Sequence, residues 1–162
     1  MESTLIPVVA GYNAEGDTVF EQICVQPVAE VRGEFRLLKS PAFVRGLASG
    51  DRIRYPTDTL NGFELIRHSG NLCVRVLRKE KLDELEQVLT AEMEMLDGTL
   101  DQQSPGILVY SIHVSIGFSQ IEALMDRLIG QFTNAVWYYG NVYDPADGVT
   151  PLNWWQDFAR SI

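Results

Sequence analysis

Between Leu72 and Tyr143 the apolar residues switch back and forth between two spacings, every second residue and every third or fourth. Leu72, Val74 and Val76 alternate with Cys73, Arg75 and Leu77, the pattern of a strand with two distinct faces. Leu82, Leu85, Leu89, Met93 and Leu96 then form one stripe on a helix. Glu80, Asp83 and Glu84 sit at the positive end of its dipole, and Asp97-Gly98 stops it. Thr99 to Gln103 reads as a short strand that turns through Ser104-Pro105-Gly106 into a long apolar strand, Ile107 to Ile116. Ser119 and Glu122 match a capping box ahead of a second helix, whose stripe is Ile121, Leu124, Met125, Leu128, Ile129 and Phe132. Val136 to Tyr143 closes the series as an aromatic strand. Strand, helix, strand, strand, helix, strand is the order of the ferredoxin-like split βαβ unit.

Before Leu72 the segments are shorter and no helical period is present. Thr18 to Val28 alternates as a strand, and the turn Asn13-Ala14-Glu15-Gly16-Asp17 makes Leu5 to Gly11 its hairpin partner. Glu34 to Lys39, Arg52 to Tyr55 and Phe63 to Arg67 follow as strands, with a compact turn or a single helical turn over Ser40 to Leu47. Closely spaced short strands predict a small β-barrel-like or curled antiparallel sheet. The fold expected is therefore α+β: that sheet over residues 1–70 packs on a ferredoxin-like βαββαβ half over 71–143. A tail over 144–162 ends in a short helix, containing Trp154 and Trp155, that docks on the body.

The run Phe35-Arg36-Leu37-Leu38-Lys39-Ser40-Pro41-Ala42-Phe43-Val44-Arg45-Gly46-Leu47-Ala48-Ser49-Gly50-Asp51-Arg52-Ile53 resembles a signature of small bacterial proteins catalogued only as a domain of unknown function. There a strand leads into a proline-aromatic turn, a glycine, and Gly-Asp before the next strand. The likeness runs from Phe20 to Tyr143 and includes the Val-Arg-Val strand and the apolar strand after Gly106. Gln102 and Gln103 depart from the charged or small residues usual near the hairpin, and the Trp-rich tail lies outside the pattern. The resemblance implies the two-part architecture and carries no activity, substrate or catalytic residue.

Composition narrows the function classes. The chain has 162 residues, 46 % hydrophobic and 22 % charged, as in ordinary globular proteins. No apolar run reaches membrane-spanning length, and Met1 to Ala10, with Glu2 and Pro7, does not read as a signal peptide. Cys24 and Cys73 are expected as reduced thiols in a bacterial-type cytoplasm. A formal charge of −9 disfavours nucleic acid and anionic membranes and favours a basic protein partner. No histidine or cysteine spacing suits a metal, no phosphate-binding loop is present, and no cofactor is implied.

Three candidate surfaces remain. Strand parity places Arg75, Ser111, His113, Trp137 and Tyr139 together on the open face of the split sheet, where they could hold an anionic or planar ligand. The alternative is that the N-terminal sheet or a second copy covers that face. Asp83, Glu84 and Glu86 could present an acidic surface to a basic partner, or simply be solvated. Tyr143, Trp154 and Trp155 could anchor a partner or a two-fold dimer, or fill the chain's own core. With no catalytic constellation, the expectation is a non-catalytic binding module acting by protein–protein contact, one version being immunity-like neutralisation of a basic protein. The competing expectation is a small-ligand sensor or modest enzyme using the open sheet face.

Overall fold

A computed structural model describes residues 2–159. The first half is a five-stranded antiparallel meander: β1 (Thr4–Tyr12), β2 (Thr18–Pro27), β3 (Glu34–Leu37), β4 (Arg52–Arg54) and β5 (Glu64–Arg67), neighbours in that order. The β1–β2 turn forms because Asn13 Oδ1 accepts the backbone N–H groups of Glu15 and Asp17. Ile6, Val8, Ile23, Val25, Leu37 and Ile53 face inward, and Val44 and Leu47 of the following loop complete this core. β1 and β5 remain edges, so the sheet is the curled, open alternative and not a closed barrel.

The second half comprises β6 (Asn71–Leu77), α1 (Leu82–Met95), β7 (Thr99–Ser104), β8 (Ile107–His113), α2 (Phe118–Ile129) and β9 (Val136–Tyr139). Its sheet has the order β7-β8-β6-β9 with every pair antiparallel, the ferredoxin-like arrangement. Leu72, Val74, Val76, Leu108, Tyr110 and Ile112 meet Leu85, Leu89, Met93, Ile121, Met125 and Leu128 in one core. Each fully buried aliphatic side chain here contributes about 1.5–3 kcal/mol relative to exposure. The short helix α3 (Gln156–Ala159) ends the described chain.

Three local expectations are corrected. The long strand stops at His113, because Val114–Ile116 wind into a single 3-10 turn held by Ser115 N–H donating to His113 Nδ1. The capping box does not form: α2 begins one residue before Ser119, with Gly117 at φ 99° as its cap. Glu122 instead accepts a hydrogen bond from the Tyr139 hydroxyl at 3.0 Å. The last strand ends at Tyr139, since the Asn141 side chain replaces the ladder by accepting from Cys73 N–H and donating to Asn71 O.

Candidate functional site

The face of the second sheet that turns away from the helices is closed by the proline-aromatic loop. Ala42 and Ala48 of that loop pack on Cys73, Ile107 and Val109. At the centre lies Arg75, 1 % exposed. Its Nε donates to Pro41 O at 3.2 Å, one terminal nitrogen to Phe43 O at 3.5 Å, and the other to Val44 O. From the opposite side the Glu21 carboxylate accepts three successive N–H groups, from Ala42 (2.6 Å), Phe43 (2.9 Å) and Val44 (2.8 Å). The loop is thus held between a cation on its carbonyls and an anion on its amides, both charge-assisted, with the cation buried and the anion half-buried. Gly140 permits this: a Cβ there would lie 2.8 Å from the Arg75 guanidinium carbon and from Cys73 Sγ.

Further polar groups brace the same seam. Asp51, fully buried, accepts from the backbone of Ala48 and Ser69, with His68 Nδ1 3.7 Å away. Asp101 accepts from Ser40 N–H and from the Ser111 hydroxyl, and burial holds its carboxyl above the ordinary range. Burial likewise pushes the Cys73 thiol up to about 11, against the opposing pull of Arg75, so it is neutral and unreactive at pH 7. The folded state favours the neutral thiol, so this contribution to stability is complete below the ordinary thiol pKa and is lost as pH rises through about 11.

The five residues expected on the open face separate. Arg75 and Ser111 do lie on it, buried, and His113 lies at its end with its ring edge against Phe158. Trp137 and Tyr139 do not. The register pairs Trp137 with Val76 and Tyr139 with Val74, which puts both aromatics on the helix face. Trp137 Nε1 donates to Asp126 and the Tyr139 ring packs edge-on against Phe118. Tyr138 occupies the place beside Arg75, its ring centre 5.8 Å from the guanidinium. Alternation within the strand is as expected; its phase against β6 is the reverse. Three cavities among the described residues, of about 690, 420 and 160 Å³, are lined by none of the five. The first lies at the end of the sheet, where Arg78 is committed to Thr133 O and Lys81 O and stacks over Phe132.

The tail aromatics turn inward. Trp154 Nε1 donates to Asn141 O, its ring stacks on His68 at 4.6 Å, and Trp155 packs against Phe118. Tyr143 is 40 % exposed and bridges to Pro151. Asp83 and Glu84 are exposed on the outer side of α1, whereas Glu86 is half-buried. Val88 and Met95, at 42 % and 79 % exposure, lie on the same outer side, with Glu94 beside Met95. Among the described residues no group of His, Cys, Asp or Glu side chains is placed to hold a metal ion. No helix among them is long and apolar enough to cross a membrane.

Sequence reasoning missed Glu21, Asp101 and Asn141. Glu21 did carry a signal: it shares the parity of Ile23 and Val25, so a charge stands at an inward position of β2.

Fold and site together define an α+β protein in which a ferredoxin-like half and an antiparallel meander are locked by a charge-bracketed loop. The chain belongs to the family described as Domain of unknown function (DUF4265), whose model matches residues 21–135, from the carboxylate under the loop to the start of β9. A solved structure described as "Novel crystal structure of a hypothetical protein from Neisseria gonorrhoeae" shares the fold. It is 18 % identical with a TM-score of 0.64, over 86 % of this chain and 95 % of that one. No curated protein matches the chain.

Proposed function

We propose that this protein is a non-catalytic binding module that recognises a basic protein through the outer side of α1. The observation that carries the proposal is the make-up of that helix: Val88 and Met95 stand exposed on the same element that exposes Asp83, Glu84 and Glu94. Exposed apolar side chains accompanied by charged ones are a common make-up of protein interfaces. The covered sheet face supports the same conclusion, because Arg75 and Cys73 bond the covering loop at Pro41 and Ser111 donates to Asp101, the acceptor of Ser40 N–H. Immunity-like neutralisation of a cationic protein is one form such binding takes. Exposed acidic pairs each contribute only about 0.2–1 kcal/mol to affinity. Their joint field acts on the association rate and weakens as salt rises.

A photo-crosslinking residue at Ala91, on the exposed side of α1, tests this in cells of the native host, with the same group at exposed Asp58 as control. The expected adduct forms from position 91 alone and contains a protein of net positive charge. With that partner purified, Asp83→Asn, Glu84→Gln and Glu94→Gln together should slow association about tenfold at low salt and leave dissociation nearly unchanged. Equal adducts from both positions, or an unchanged association rate, would overturn the proposal.

A further inference from the structure

Each sheet has two edge strands, and three of the four edges carry devices that discourage pairing with another strand. β1 has Pro7 within it and a bulge between Val9 and Gly11. β5 is four residues long with Glu64 and Arg67 at its ends. β7 has a bulge between Leu100 and Gln102, and Asp101 and Gln102 tie it to Ser40. Proline, bulges, charges and covering loops are the usual means of protecting an edge. β9 is as short as β5, but it carries no proline, bulge or charged residue. No charged residue occurs from Leu128 to Tyr143, yet Val136 is 57 % and Tyr138 36 % exposed.

The backbone of β9 is oriented for pairing. Gly140 N–H donates to Cys73 O, so alternation along the ladder aims the peptide groups of Val136 and Tyr138 at β6 and those of Trp137 and Tyr139 outward. Among the described residues no strand pairs with β9 on that side.

We propose that β9 pairs antiparallel with β9 of a second copy about a two-fold axis, joining the two four-stranded sheets into one. An antiparallel pair of identical strands is self-complementary, and the outward groups of Trp137 and Tyr139 then meet the same groups of the other copy. Tyr138 falls opposite the partner subunit's Tyr138, and the helices of both copies stay on one side of the sheet. Charge selects a second copy over a basic partner here. α1, with its acidic side, packs on β7 and β8, while α2 packs on β9. Pairing at β9 therefore sets the two acidic surfaces at opposite ends of the joined sheet, where a like-charged chain is repelled least, and leaves both free. A cationic protein finds no charge on β9 to attract it.

The test is made on the full chain with Cys24→Ser as background, since the other cysteine, Cys73, is buried. Sedimentation should give the mass of two chains, and Tyr138→Lys should lower it to one while the far-ultraviolet spectrum stays that of the folded chain. Facing residues at a pair without direct hydrogen bonds lie about 4.5 Å apart, within disulfide reach. Tyr138→Cys should therefore form an intermolecular disulfide in air at least tenfold faster than Asp58→Cys, an exposed control. A monomer at millimolar concentration, or equal crosslinking at the two positions, would overturn the proposal. Neither result bears on binding at α1, so the two proposals fail separately.

Discussion

Arg75→Ala should lower the unfolding free energy by about 3–5 kcal/mol, because three carbonyls lose a charged donor at about 1–3 kcal/mol for each buried group left unsatisfied. The magnitude follows from what remains. The buried carbonyls of Pro41 and Val44 and the part-buried one of Phe43 lose their donor, and each unsatisfied buried group costs about 1–3 kcal/mol. Some of that is recovered as the loop relaxes toward solvent, which keeps the total below the simple sum. Arg75→Lys should recover only part of the loss, because an ammonium cannot reach three carbonyls spread across a planar fork. Urea unfolding checks both variants. A loss under about 1 kcal/mol for alanine would mean that the loop does not depend on the guanidinium.

Glu21→Gln should cost about 1.5–3 kcal/mol, the range for hydrogen bonds to a charged group. Its carboxylate accepts from Ala42 on one oxygen and from Phe43 and Val44 on the other, and an amide keeps one acceptor oxygen while its NH2 group faces the N–H donors of the other side. The two charges act on one four-residue loop from opposite sides, so their effects should not add. A double-mutant cycle between Glu21 and Arg75 should give a coupling of about 0.5–3 kcal/mol. Additive losses would show that the loop responds to each charge independently.

The ferredoxin-like half was legible because its signals are local. Helical stripes such as Leu82, Leu85, Leu89 and Met93 need no knowledge of partners, and Gly98 marks a stop whatever packs nearby. What failed depended on register between strands distant in sequence. Whether Trp137 faces Val76 or lies beside Arg75 is decided by a one-residue choice of pairing, and one step exchanges every side chain between faces. The capping signature at Ser119 was overridden because Gly117 reached the left-handed region that starts the helix earlier. The covered face illustrates the limit most clearly. Parity correctly assembled Arg75, Ser111 and His113, but only the fold of Ser40 to Asp51 shows that a loop already occupies the place a ligand would take. Glu21, marked in the sequence only by its parity with Ile23 and Val25, is the anion that fixes that loop.

Hydrogen exchange of the free protein tests most directly whether this face is closed in the native state. Gly46 N–H donates to Gly140 O, and Ala42 and Val44 donate to Glu21, all inside the seam between the two sheets. These amides should exchange only with global unfolding, at the rate of Cys73 and Leu108 in the central strands. Exchange of Ala42, Val44 and Gly46 as fast as exposed Ala146 would contradict the account. The loop would then open while the sheets stay folded, and Arg75 with Ser111 would be free to bind a ligand after all.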